Sequence, residues 1–234
     1  MKRGIILSVI IVAMTCINGF SNSKSMVKET RNLSGFTRVS FGVAGDLYIN
    51  FGSEFKVELE GEKSYLDEIV TEVSGGKLVI KKDNWRFNIN EKVTVYITMP
   101  ELKGLGVSGS GRAEVKDEVK TDKLDLSVSG SGKIITGNIV AANLGCSISG
   151  SGDIIIEGSG DATNANISIS GSGNYTGDTL KIGSAEISIS GSGNCSCNVT
   201  ESLHAHVSGS GNVRYSGNPK LDARVSGSGH VRSK

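Results

Sequence analysis

Ile167-Ser168-Ile169-Ser170-Gly171-Ser172-Gly173-Asn174-Tyr175 decides how this chain is read. Apolar and polar residues alternate up to Ser170, a period of two that marks a strand with one face buried. Two glycines then interrupt the strand, and the alternation resumes after them. The tetrapeptide at its centre, Ser-Gly-Ser-Gly, begins at Ser108, Ser129, Ser149, Ser170, Ser190, Ser208 and Ser226, at spacings of 21, 20, 21, 20, 18 and 18 residues. A near-constant period indicates an array of like units, whereas a flexible Gly/Ser linker carries no patterned apolar residues between its glycines.

Working outward from each tetrapeptide, the positions one, three and five before its first Ser are aliphatic or small. They read Leu124, Leu126, Val128; Leu144, Cys146, Ile148; Ala165, Ile167, Ile169; Ala185, Ile187, Ile189; Leu203, Ala205, Val207; and Leu221, Ala223, Val225. A second short strand follows each copy, as in Lys133 to Thr136 and Asp153 to Ile156. Two strands in 18 to 21 residues are too few for a propeller blade of about 40, and no segment is long enough for the helix of a leucine-rich repeat. The expected fold is all-β, a single-stranded parallel β-helix with coils of about 18–21 residues. Equivalent residues then stack about 4.8 Å apart in columns, and the glycines take the turns, where positive φ is needed. One coil cannot bury its own apolar face, so the units come as a stack.

The first half reads as the same solenoid in degenerate form. Val39 to Leu47 aligns with Ile167 to Tyr175, and the 66 residues from Gly42 to Ser108 leave room for about three coils. Phe55-Val57-Leu59, Leu78-Ile80 and Val93-Val95-Ile97-Met99 alternate as strands, and 63–70 fits a helical turn. Ten of twelve aromatics precede residue 100 and 23 of 32 glycines lie from Gly104 onward, so Phe36, Phe41, Trp85 and Phe87 are expected to fill or cap a wider end. The expected organisation is a signal peptide over 1–21, a linker over 22–34 and one β-helix domain over 35–234, with degenerate coils over 35–104 and Ser-Gly-Ser-Gly coils over 105–234.

The leader rests on Lys2 and Arg3 before an apolar run from Ile5 to Ala13, which is too short to span a bilayer. Lipoprotein anchoring through Cys16 competes with free secretion, but Ala13-Met14-Thr15 lacks the Leu and the Gly or Ala of a lipobox, so export to the periplasm, outer-membrane surface or extracellular space is the reading preferred. No other segment suits a membrane span. With 25 Lys and Arg against 24 Asp and Glu, the chain has no basic footprint for nucleic acid.

At Met99-Pro100-Glu101-Leu102-Lys103-Gly104-Leu105-Gly106-Val107-Ser108-Gly109-Ser110-Gly111 the chain resembles the lead-in to the glycine-rich repeats of the putative auto-transporter adhesin, head GIN domain family. These are secreted proteins common in Bacteroidetes. The resemblance covers roughly 35–234 and includes the order of leader, alternating strands, Met-Pro hinge and repeats. It implies a right-handed parallel β-helix and an adhesin-like role, and it brings no catalytic residues.

Little points to chemistry. A lyase or hydrolase needs carboxylates and bases clustered in a groove, whereas Asp125, Asp153, Asp161, Asp178 and Asp222 fall at different coil positions. Calcium-binding solenoids need a nine-residue Gly-Gly-x-Gly-x-Asp repeat, which is absent, and no helix follows the glycines to make a nucleotide loop. Cys146, Cys195 and Cys197 sit at inward positions, with Cys146 on another face and two coils from the others, too far for a disulfide. No cofactor is expected. Ser127, Ser147, Ser168 and Ser188 form an outward hydroxyl ladder, either a binding face or plain solvated sheet. His204 and His206, with Glu186 and Asp222 one coil to either side of His204, are the surface candidates for a metal. From Asn212 onward Arg214, Lys220, Arg224, Arg232 and Lys234 face Asp222 alone, a local excess of four positive charges. This basic end either repels other copies of itself or recruits an anionic envelope polymer.

The expected function is therefore a non-enzymatic, adhesin-like surface for a glycan or another cell-envelope component. A structural envelope scaffold stands second and a carbohydrate-active enzyme third.

Overall fold

A computed structural model describes residues 25–83 and 92–234. The expected signal peptide with Cys16, the first residues of the expected linker, and Trp85 and Phe87 lie outside the described residues. The N-terminal part comprises β1 (Met26–Arg31), β2 (Arg38–Gly42), β3 (Gly45–Phe51), β4 (Lys56–Glu62), the helical turn α1 (Lys63–Leu66), β5 (Ile69–Ser74), β6 (Lys77–Lys82) and β7 (Val93–Met99). The repeats supply β8 (Gly104–Gly109), β9 (Arg112–Val115), β10 (Val119–Gly130), β11 (Lys133–Thr136), β12 (Ile139–Gly150) and β13 (Asp153–Ile156). They continue as β14 (Gly160–Gly171), β15 (Asn174–Gly191), β16 (Asn194–Gly209), β17 (Asn212–Ser216), β18 (Lys220–Ser226) and β19 (His230–Ser233).

The repeats stack as parallel coils, a β-solenoid. On one side, here side A, strand ends before successive tetrapeptides pair in register, Leu126 with Cys146, Cys146 with Ile167 and Ile167 with Ile187. After each tetrapeptide the chain runs along side B, where Ile134 pairs with Ile154 and Ile154 with Tyr175. The ladder Val107, Val128, Ile148, Ile169, Ile189, Val207 is no more than 2% exposed anywhere along it. Val225, next in that column, is 43% exposed, and among the described residues β18 pairs only with β16.

Several repeat coils also have a third short run beyond the two strands expected from the sequence. Val119–Thr121 pairs in parallel with Ile139–Ala141, and that with Gly160–Ala162. Two outward residues, Asp122 and Lys123, then break the alternation and re-aim the chain onto side A. A run of three residues is too short to show a period of two in sequence.

The two glycines of the tetrapeptide serve different ends. Gly171 has φ +119°, and a Cβ there would also lie 2.3 Å from the carbonyl oxygen of Gly150 in the preceding coil. Gly173 has no such φ; a Cβ would strike Gly152 O at 2.3 Å and Ile148 Cγ2 at 2.5 Å. Only the first glycine is thus explained by positive φ, and the second is set by close stacking. That closeness lets the turn amides bond down the stack: Ser172 N donates to Gly150 O at 2.8 Å and Asn174 N to Gly152 O at 3.2 Å.

The N-terminal part departs from the expectation of three successive coils. The aligned coil is where the sequence put it, with Val39 against Leu105 and Leu47 against Ala113. However, β6 and β7, later in the chain, stack on its far side, so β2 lies between β6 and β8 and β3 between β7 and β9. Beyond them β4 runs antiparallel on β7, β1 antiparallel on β4, and β5 antiparallel on β6. The expected linker is therefore partly strand. Met26–Arg31 has one strong apolar residue, Val27, and so no period-two signature; it becomes a strand because β4 offers an unpaired edge. Its charged side chains, paired as Arg31–Glu29 at 2.8 Å and Lys28–Glu58 at 3.5 Å, suit an edge that resists further pairing. Phe36 and Phe41 are fully buried, and Phe36 packs against Phe55 with ring centroids 4.8 Å apart. Both are thus part of the core of the N-terminal part.

Candidate functional site

Side A presents outward polar columns held rigidly by the coils. Ser127, Ser147, Ser168 and Ser188 are consecutive members of one column, all exposed, and the column continues into His206 and Arg224. The next column reads Asp125, Gly145, Asn166, Glu186, His204, Asp222, and the one beyond it Lys123, Asn143, Asn164, Ser184, Ser202, Lys220. Asp125 and Asp222 thus share one coil position, against the expectation that they fall at different ones, because both lie four residues before the first Ser of their tetrapeptide.

Neighbours within and between these columns bond to one another. Lys123 pairs with Asp125 at 3.2 Å, Asn166 Nδ2 donates to Glu186 at 3.3 Å, and Ser202 Oγ donates to Ser184 Oγ at 2.9 Å. Gly145 interrupts the wall: it has no side chain where Asp125 and Asn166 have theirs. The result is a depression of about 620 Å³ running from Lys123 and Asp125 past Gly145 to Asn166, Glu186 and His204. Sequence reasoning named the serines but missed Gly145, Asn143, Asn164 and Asn166. Their signal was the polar positions two and four residues before each serine, legible only once the coils are set in register.

The metal candidates are brought close without converging. Glu186, His204 and Asp222 follow one another in one column, while His206 stands in the next. His204 Nδ1 lies 3.4 Å from Asp222 Oδ2, and Glu186 instead accepts from Asn166. Glu186 and Asp222 are two coil spacings apart, close to 10 Å. Among the described residues no three His, Cys, Asp or Glu side chains gather as a metal ion would need.

Side B carries a feature that the sequence reading missed. The residue after each tetrapeptide forms a column in which Lys133 pairs with Asp153 at 3.1 Å. Asn174 then donates to Asp153 at 3.0 Å, Asn194 to Asn174 at 2.9 Å and Asn212 to Asn194 at 3.1 Å. This amide ladder leaves Asn174 and Asn194 one N–H each and some carbonyl capacity unused, whereas Asn212 also donates to Ser210 O at 3.5 Å and keeps only its carbonyl capacity.

The three described cysteines are free and buried. Desolvation, then the Asp125 carboxylate, pushes the Cys146 thiol up out of the ordinary range. Cys195 is raised by its hydrogen bond with Cys197 and by burial. Tyr175, the register partner of Cys195, is 1% exposed, and its hydroxyl has no hydrogen-bond partner among the described residues. These groups belong to the core and are poorly suited to nucleophilic work, since the reactive form of a cysteine is the thiolate.

The fold and its polar faces define a parallel β-solenoid with laterally displayed hydrogen-bonding columns. Residues 35–219 match the family described as "Putative auto-transporter adhesin, head GIN domain", and the chain belongs to that family. A crystal structure of a putative adhesin from Bacteroides fragilis is similar at 25% identity, covering 91% of this chain and 98% of that one with a TM-score of 0.81. A putative lipid binding protein from Parabacteroides distasonis shares the fold at 24% identity, 91% and 98% coverage and a TM-score of 0.73. A putative adhesin from the same species does so at 23% identity, with the same coverage and a TM-score of 0.72. No curated protein matches the chain. Among the described residues no helix is long and apolar enough to cross a membrane.

Proposed function

We propose that this is an exported, non-enzymatic binding protein whose side A holds a glycan or another cell-envelope component. The observation that carries this reading is the depression at Gly145, a recess of about 620 Å³ lined by amide, hydroxyl and carboxylate groups at fixed coil spacing together with Leu126, Leu144, Ala165 and Ala185. Such a wall suits a ligand rich in hydroxyls, because each neutral donor or acceptor is held ready and binding freezes little of the protein. Membership of an adhesin-like family supports export and attachment. The lipid-binding description of one neighbour belongs to that protein.

A glycan array with the wild-type protein and Gly145→Asn tests the reading. A Cβ at Gly145 meets only the flexible Asp125 Oδ1, at 2.7 Å, and φ there is not positive, so the variant fills the recess while the coil persists. Wild-type binding lost in Gly145→Asn is the expected result. Hits that survive the substitution would move the site elsewhere, and an array without hits would favour the scaffold reading.

A further inference from the structure

Cations along side B change character from one end to the other. In the first repeat coils Arg112 and Lys116 both pair with Glu114, at 3.2 and 3.3 Å, and Lys133 pairs with Asp153. The Glu114 column then runs through Ile135, Ile155, Thr176 and Ser196 to Arg214 and Arg232. Both arginines are exposed, they are direct register partners, and neither makes an ion pair or hydrogen bond among the described residues. Asp178, next to this end of the column, accepts from Ser196 Oγ at 2.9 Å and is ion-paired with Lys234.

Two like charges directly opposite on neighbouring strands, about 4.8 Å apart, work against the fold. An anion lying across both guanidinium groups turns that repulsion into binding, and the planar fork of arginine suits an oxyanion bidentately. Beside the arginines lies the neutral amide ladder. A depression of about 330 Å³ runs between the two columns, lined by Asn174, Thr176, Asn194, Ser196, Asn212 and Arg214. The free capacity of Asn194 and Asn212 points into hydroxyl chemistry, and the arginines into acid chemistry, at a spacing near the length of one sugar residue in an extended chain.

We propose that the C-terminal coils bind an acidic polysaccharide along side B, its acid groups on Arg214 and Arg232 and its hydroxyls on Asn194, Asn212 and Ser196. This site lies on a different side from the Gly145 recess, so either can fail alone. A bare membrane surface would use the charge but has no need of a lateral row of neutral amides between the strands. A free phosphate would use one guanidinium pair and gain nothing from the ladder.

Calorimetric titration of the protein with oligogalacturonate and with dextran sulfate, beside a neutral cello-oligosaccharide, tests the proposal. At least one acidic chain is expected to bind, with affinity falling as salt rises. The double variant Arg214→Gln/Arg232→Gln is expected to lose about tenfold or more in affinity, with an unchanged or higher melting temperature because the repulsion is gone. Lys116→Gln, a cation elsewhere on the same side, is the control and should bind as wild type. The proposal is overturned if neither acidic chain binds, if the double variant keeps its affinity, or if the neutral chain binds equally well. It is also overturned if inorganic phosphate matches the polymers, or if phosphatidylglycerol vesicles bind and the acidic chains do not.

Discussion

The two ends of the solenoid solve the same problem in opposite ways. At the N-terminal end the stack is closed by antiparallel strands: β1 on β4 and β4 on β7 on one side, β5 on β6 on the other. Aromatic side chains are packed into the core there, and ion pairs line the last edge. The C-terminal coils have almost no aromatics, a pair of glycines at each tetrapeptide turn, and a last strand on side A whose inward Leu221 and Val225 are 45% and 43% exposed. Thick side chains stabilise the first region by volume. The second relies on how closely identical turns stack. Substitutions that add or remove volume should therefore act with opposite weight in the two regions.

The largest effect is expected where volume is removed from the aromatic end. Phe36→Ala should cost about 3–5 kcal/mol in denaturant unfolding, since Phe36 is fully buried against Phe55. A loss below about 1 kcal/mol would mean that the end relaxes around the cavity, and the contrast in packing would not hold.

Adding volume should hurt the repeats instead. Gly171→Ala should cost about 2–3 kcal/mol, from its positive φ and the carbonyl 2.3 Å from the new Cβ. Gly75 in the β5–β6 turn, with φ +57° but nothing within 4 Å of a Cβ, should cost about 1 kcal/mol on the same change. Equal melting shifts for the two alanine variants would show that backbone conformation, not stacking, sets the glycine requirement. Ser168→Thr, exposed on the same strand, should shift stability by less than about 0.5 kcal/mol.

The thiols sharpen the comparison through pH, because they lie only in the repeats among the described residues. Cys146 and Cys195 are held neutral, with folded pKa values raised above the unfolded value of about 8.5. Their contribution is fully present below that pH and is lost as the pH climbs above it, because only the unfolded chain releases the protons. Stability should fall by about 1.4 kcal/mol per pH unit for each such thiol above about pH 9. Cys146→Ala should flatten the slope of melting temperature against pH while lowering its starting value. An unchanged slope would place that thiol in contact with water.

One expected change is a gain. Tyr175→Phe removes a buried hydroxyl without a partner and keeps the ring, so it should stabilise by about 1 kcal/mol. A loss on this change would reveal a hydrogen bond to Tyr175 Oη.

What could be read in advance follows from the range of the interactions. A strand with one buried face writes its alternation into five or six consecutive residues, and a stack of such strands writes its period into the whole chain. The columns through Val107 and through Ser127, and the match of Val39 with Ile167, were therefore legible. The third run of several coils was not, because Ile139–Ala141 is too short to carry a period. Nor was the reversed stacking of β2–β3 against β6–β7, since parallel neighbours look alike in sequence whichever lies outermost. The edge strand Met26–Arg31 forms in response to the free edge of β4, with little apolar pattern of its own.

For the candidate site the division is the same. Sequence alone determined that the chain repeats, that its inward positions are aliphatic, and that its outward positions are small and polar. Only the tertiary structure decided that Gly145 opens a recess between Asp125 and Asn166, that Asn174, Asn194 and Asn212 bond into one ladder, and that Arg214 and Arg232 stand together without a counter-charge. Those arrangements arise between residues 18 to 21 positions apart. They exist only once the coil register brings such residues to one strand spacing, about 4.8 Å, where side chains can bond, repel or leave a gap.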